Sequence, residues 1–134
     1  QATLSGLDDH IYFLGFVPDD ILPLYYAAAD LFIMPTAFIE GFGLATVEAL
    51  ATGLPVLGTP IGGTIEILQP IDPDLIFKKA DTQSMAEKIE KFLKTPNQIL
   101  TLKLKCRENA LAHYDWDLSV NRIEEEFDLI RKNK

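Results

Sequence analysis

The sequence predicts an α/β fold in which helices cover both faces of a parallel sheet. Two observations carry this. Short, almost wholly apolar runs, "IYFLGF", "LFIMP", "PVLG" and "LIF", alternate with helical segments through residues 1–80. Strands without polar alternation belong in a sheet buried on both sides. Glycine and proline punctuate the alternation where helices should end and turns begin. At 134 residues and 48% hydrophobic content, the chain can fill one core. It reads as a single domain, 1–134, with 81–134 as its helical part.

Each element has its own signal. "IYFLGF" is the first expected strand, ended by Pro18, and "DDILPLYYAAAD" is a helix with Asp19 as its N-cap. "LFIMP" is the second strand. A helix from about Gly43 to Thr52 follows, with Gly53 where a C-cap glycine belongs. After the third strand, "PVLG", the pair Gly62 and Gly63 turns the chain into a short helix. Glu66 in its first turn suits the helix dipole. "LIF" before Lys78 is a fourth strand. From Asp81 onward the pattern is helical only. Met85, Ile89 and Phe92 share one apolar stripe, and Val120, Ile123, Phe127 and Ile130 share another.

Charge narrows the function. The net charge of −8 argues against a nucleic-acid or anionic-membrane binder. Every Lys and Arg lies at Lys78 or later, so an anionic ligand of the first half must be held by backbone amides, helix N-termini or outside cations. The single cysteine, Cys106, cannot pair within the chain and reads as a free thiol on the polar side of a helix. No apolar run is long enough to span a membrane and no signal peptide is recognisable, so a soluble, cytoplasmic protein is expected. "QATLSGL" offers no natural beginning, and the chain is expected to be a piece of a longer protein.

The stretch "EGFGLATVE" carries the chemistry. Glu48 is the only ionisable side chain between Gly41 and Ile65, on a helix apolar enough to read as buried. A carboxylate there needs hydrogen-bond donors. Backbone amides, hydroxyls, or a ligand's neighbouring hydroxyls would serve, and a purely structural glutamate fits as well. Glu40 lies between a strand and a helix, where open parallel sheets place ligands. Phe42, Gly43 and Leu44 would offer free amides at a helix N-terminus, a seat for phosphate that Gly41 and Gly43 let a ligand approach closely. An anion site between two carboxylates suited to the hydroxyls of a sugar and a ribose would describe a nucleotide sugar.

These residues resemble the donor-binding half of retaining GT-B glycosyltransferases. The pieces that match are Gly15, the run from Tyr25 to Asp30, Pro35, Glu40 and Glu48 at their spacing, Gly53 to Val56, and Gly62-Gly63 followed by Glu66. Weaker resemblance extends to "HYDWDLSVNRIEEEFDLI", the family's closing helix. The resemblance implies a Rossmann-like C-terminal domain, truncated at its N-terminal side, of an enzyme that moves a sugar from a nucleoside-diphosphate sugar to an acceptor hydroxyl with retention.

It further implies that Glu40 meets the transferred sugar and acts in catalysis, and that Glu48 holds the ribose diol. Gly41 and the amides from Phe42 through Gly43 and Leu44 to Ala45 would take the sugar and distal phosphate, while Phe16 and Val17 border the base. The nucleotide sugar is a substrate, so no cofactor is expected. The acceptor, a glycan, lipid or small molecule, would bind the missing N-terminal domain. That domain would also bring a histidine, and the family's diphosphate-binding Arg and Lys precede the first strand seen here. The fragment alone is therefore expected to be inactive, and the whole enzyme to work in the cytoplasm or at the inner face of the membrane. The rival is a non-catalytic nucleotide-binding or interaction module, which the absent Arg and Lys would favour.

Other residues read plainly. His10 and His113 show no metal-ligand spacing and no metal is expected. Trp116 reads as a packing anchor, and Glu124 to Glu126 as a solvated helix face. The apolar stripe of the last helix is expected to be partly exposed and to drive self-association.

Overall fold

The computed structural model describes residues 5–132. Residues 1–4, on which the expectation of a longer chain partly rests, and 133–134 lie outside the described residues. The elements are α1 (Leu22–Ala28), β1 (Phe32–Met34), α2 (Leu44–Ala51), β2 (Val56–Gly58), α3 (Gly63–Leu68), α4 (Thr82–Leu93), α5 (Pro96–His113) and α6 (Trp116–Lys132). β1 and β2 pair in parallel, with Phe32 opposite Val56 and Met34 opposite Gly58. A third chain segment joins β2 through one parallel bridge, Gly58 to Ile76, and Phe77 N–H donates to the Gly58 carbonyl at 2.8 Å.

β2 is therefore hydrogen-bonded on both sides and wholly buried. The core forms around it. Leu50 of α2, Leu57, Ile67 and Leu68 of α3, Phe77 and Leu102 of α5 are all at most 2% exposed. The α2–α5 contact is fastened at its edge by the Arg107 guanidinium, which donates to the Ala51 carbonyl at 2.8 Å.

The α/β class and the parallel sheet with flanking helices are as expected, but the sheet is smaller. "IYFLGF" is no strand: it pairs with nothing among the described residues, and Phe13 and Phe16 are almost fully exposed. Strand-forming residues make a strand only beside a free ladder edge. "LIF" contributes a single bridge, because its first residue, Leu75, closes a tight 3-10 turn, Pro73–Leu75.

Three local expectations also change. Asp19 is not the cap of α1. That helix starts at Leu22 with Ile21 as N-cap, and no side chain caps it. Cys106 lies not on a polar face but fully buried on the Leu102, Cys106, Ala110 stripe of α5. Burial, with the nearby Asp72 charge, pushes its thiol up to about 12, so it stays protonated. Trp116 is 83% exposed and anchors nothing.

α6 buries no residue. Val120, Ile123, Phe127 and Ile130 form the expected stripe, and each stands about half exposed. We expect concentration-dependent self-association through this face, weakened by Phe127→Lys or Ile130→Lys. Sedimentation velocity checks it: a monomer at every concentration, unchanged by either substitution, would show that the stripe is tolerated in water. Among the described residues, no helix is long and apolar enough to cross a membrane.

Candidate functional site

The site is built where β1 and β2 end. Thr59, fully buried just past β2, donates its hydroxyl to the Thr36 carbonyl at 2.7 Å, and its N–H donates to the Met34 carbonyl. Thr36 in turn donates its hydroxyl to Glu40 Oε2 at 3.1 Å. The half-buried Glu40 is thus tied through two threonines to the sheet, and its other carboxylate oxygen has no hydrogen-bond partner among the described residues.

Beyond Glu40 the chain turns into α2. Gly43 is the N-cap with φ of 91°, a left-handed conformation that costs glycine nothing, and its carbonyl accepts from Thr46 and Val47 N–H. The amides of Phe42, Gly43, Leu44 and Ala45 donate to nothing among the described residues. From the other side the Gly62-Gly63 turn presses against this loop. Gly63 N–H donates to the Gly41 carbonyl at 3.3 Å, and a Cβ on Gly63 would stand 2.6 Å from that same oxygen.

A hollow of about 460 Å³ opens here, lined by Glu40, Gly41, Phe42, Glu66 and Tyr114 among others. Phe42 and Tyr114 meet edge to face at 5.8 Å. Burial, and then the neighbouring Glu66 charge, raise the Tyr114 phenol above its ordinary value.

Glu48 faces elsewhere. It lines a second hollow of about 390 Å³ between α1 and α2, with Asp19, Leu22, Pro23, Tyr26 and Ala51. It is exposed, against the expectation of a buried carboxylate. α2 buries Thr46, Ala49 and Leu50, and position 48 falls on the opposite side of the turn. Its donor is Tyr26, whose hydroxyl reaches Glu48 Oε2 at 3.3 Å and whose ring stands edge-on to Phe32 at 5.6 Å. Burial first, and then the Glu48 charge and hydrogen bond, raise the Tyr26 phenol.

The structure thus groups Glu40, Gly41 and Phe42 at one hollow and sets Glu48 at another, with Gly43, Leu44 and Ala45 forming the helix start between them in sequence. Phe16, exposed, and Val17, half-buried, line neither hollow. Thr36, Thr59, Tyr26 and Tyr114 went unread in the sequence. Thr36 lies four positions from Glu40, and the other three act over separations of more than 20 positions, which no local pattern marks.

The fold and this strand–glycine loop–helix construction suit a nucleotide-binding domain. The chain belongs to the glycosyl transferases group 1 family, whose model matches residues 1–113. It is 30% identical over 118 residues to a GDP-mannose-dependent alpha-(1-6)-phosphatidylinositol monomannoside mannosyltransferase of Mycobacterium tuberculosis, covering 84% of this chain and 31% of that protein.

Among solved structures of the GT-B class, sucrose-phosphate synthase from Thermosynechococcus elongatus superposes with a TM-score of 0.87 at 26% identity, over 99% of this chain and 33% of that one. HepE of Anabaena, seen in complex with UDP-glucose, gives a TM-score of 0.84 at 26% identity over 95% and 34%. The chain spans about a third of the length of these relatives.

Proposed function

We propose that the chain is the donor-binding domain of a retaining glycosyltransferase that transfers a sugar from a nucleoside-diphosphate sugar to an acceptor hydroxyl. One observation carries the reading: the loop from Glu40 to Gly43 is clamped by the Gly62-Gly63 turn so that a held carboxylate and a row of unspent amides stand together at the start of α2. Such a helix start suits a phosphate, and the carboxylate suits sugar hydroxyls. HepE, seen with UDP-glucose, supports a nucleotide-sugar ligand.

In this reading Glu40 orients the transferred sugar, and the amides of Phe42 to Ala45 receive the distal phosphate. Glu48, braced by Tyr26, holds the ribose diol, and Phe16 and Val17 border the base. The bond between the anomeric carbon and the phosphate oxygen breaks, and the diphosphate leaves with the electron pair. The acceptor oxygen then bonds on the same face, its proton passing to the leaving diphosphate. Amides fixed in advance stabilise the charge that develops on the leaving group. The two glutamates are binding groups here, unlike the flanking acids of a glycosidase. The acceptor and a cationic diphosphate clamp belong to the rest of the enzyme, placed in the cytoplasm or at the inner face of the membrane, and the 134-residue chain alone is inactive.

Paired substitutions in the whole enzyme test these roles. Glu48→Ala should weaken donor and free nucleotide alike, by about tenfold for a lost charged hydrogen bond. Glu40→Ala should lower transfer by at least as much while leaving free-nucleotide affinity within about twofold. Equal losses of nucleotide affinity, measured by calorimetry, would contradict the assignment.

A further inference from the structure

We propose that the hollow at Glu40 accepts an uncharged or amino sugar and turns away an acidic one, such as a uronic acid, with Glu66 and Tyr114 forming the wall that makes this choice. The inference rests on the donor-binding reading, in which Glu40 meets the transferred sugar, and goes past it to the chemical class of that sugar.

Three polar side chains line this hollow of about 460 Å³ with hydrogen-bonding capacity that the fold does not use. One Glu40 oxygen accepts from Thr36, and the other has no partner among the described residues. Glu66 makes neither a hydrogen bond nor an ion pair among them, and the Tyr114 hydroxyl makes no hydrogen bond. The Tyr114 ring is braced edge to face on Phe42 at 5.8 Å, so its hydroxyl belongs to a supported wall. Between these groups lie Gly41, Gly62 and Gly63, which add no side chain to the space.

The charge of these groups then discriminates. A sugar hydroxyl donates and accepts, so it can give its proton to either carboxylate and exchange either role with the phenol. An ammonium on the sugar brings three donors to the same acceptors. A carboxylate on the sugar only accepts, and it meets two like charges with a single phenol to donate. No Lys or Arg lines the hollow, and residues 1–77 contain none to offset the repulsion. The Glu66 charge already acts inside: after burial, it is the second cause that raises the Tyr114 phenol. Repulsion from a carboxylate a few ångströms away in partly solvated surroundings amounts to about tenfold in affinity.

The test is an NMR titration of the 134-residue chain at neutral pH, read at the amides of residues 41–45. The probes are inorganic phosphate and the 1-phosphates of glucose, glucosamine and glucuronic acid, which carry sugar and phosphate without a base. Glucose 1-phosphate should bind more tightly than phosphate, glucosamine 1-phosphate at least as tightly as glucose 1-phosphate, and glucuronic acid 1-phosphate about tenfold more weakly. Glu66→Gln keeps the shape and removes the charge, so the gap between glucose and glucuronic acid should shrink to about threefold. Tyr114→Phe should weaken glucose 1-phosphate and leave phosphate within about twofold. Glucuronic acid 1-phosphate binding as tightly as glucose 1-phosphate would overturn the proposal, as would an unchanged gap in Glu66→Gln. Phosphate binding as tightly as glucose 1-phosphate would show that the hollow contacts no sugar, and the proposal would fall while the phosphate seat stood. Should Glu66→Gln fail to fold, the ranking on the unmodified chain decides alone. Binding of no probe, or shifts confined to α4, would overturn the donor-binding reading itself, and the sugar assignment with it.

Discussion

Gly62→Ala is expected to lower the free energy of unfolding by about 3 kcal/mol, the upper range for one residue forced into a glycine-only conformation. Gly62 has φ of 57° and ψ of −146°, which a side chain opposes by itself. An added Cβ would also collide with the Glu40 carbonyl, a backbone atom that cannot swing aside. The loop would have to leave the α3 turn, and Glu40 would leave its bond from Thr36. Gly41→Ala is the control. Gly41 has no positive φ, nothing lies within 4 Å of its would-be Cβ, and a change under about 0.5 kcal/mol is expected. Urea denaturation of both variants checks the pair. Equal effects would show that the clamp between the two glycine turns does not hold the loop.

Truncation of two phenylalanines should separate core from surface as sharply. Phe77, 1% exposed, fills the core beside β2, and Phe77→Ala should cost about 3–5 kcal/mol, or unfold the chain. Phe127 is 62% exposed on α6, and Phe127→Ala should change stability by less than about 0.5 kcal/mol. Guanidinium melts at one low protein concentration make the comparison. A cost above about 1.5 kcal/mol for Phe127→Ala would mean that α6 packs on a surface of its own molecule.

The parts of the fold legible in the sequence are those whose signals are local. The apolar runs at Phe32–Met34 and Val56–Gly58 are strands, and the glycines at 43, 53, 62 and 63 punctuate α2 and α3 where expected. What failed depended on partners. Apolarity at residues 11–16 reports strand propensity but not whether a ladder edge is available. The apolar helix around Glu48 suggests burial, although burial follows the face formed by Thr46, Ala49 and Leu50. Cys106 could have been placed by its spacing of four from Leu102 and Ala110, the periodicity of a buried stripe.

The site divides the same way. The place of Glu40 and the glycine loop between a strand and a helix was legible in the sequence. An acid at position 19 suggests a helix cap, but Pro23 in the first turn of α1 lets the helix begin later, after Ile21. Tyr26 lies 22 positions from Glu48, and only the folded chain brings its hydroxyl there.

The separation of charge along the chain sets how a nucleotide would arrive. Residues 1–77, which furnish both hollows apart from Tyr114, carry ten carboxylates and no Lys or Arg. A diphosphate diffusing in therefore meets a repulsive field before it meets any amide. That field reaches about 8 Å at physiological ionic strength and shrinks as salt is added. For this chain salt should speed the encounter, the reverse of what a lysine-lined phosphate site shows. If those amides at the start of α2 receive a phosphate, as proposed, the ligand would reach them only after crossing that barrier, and capture would be slow.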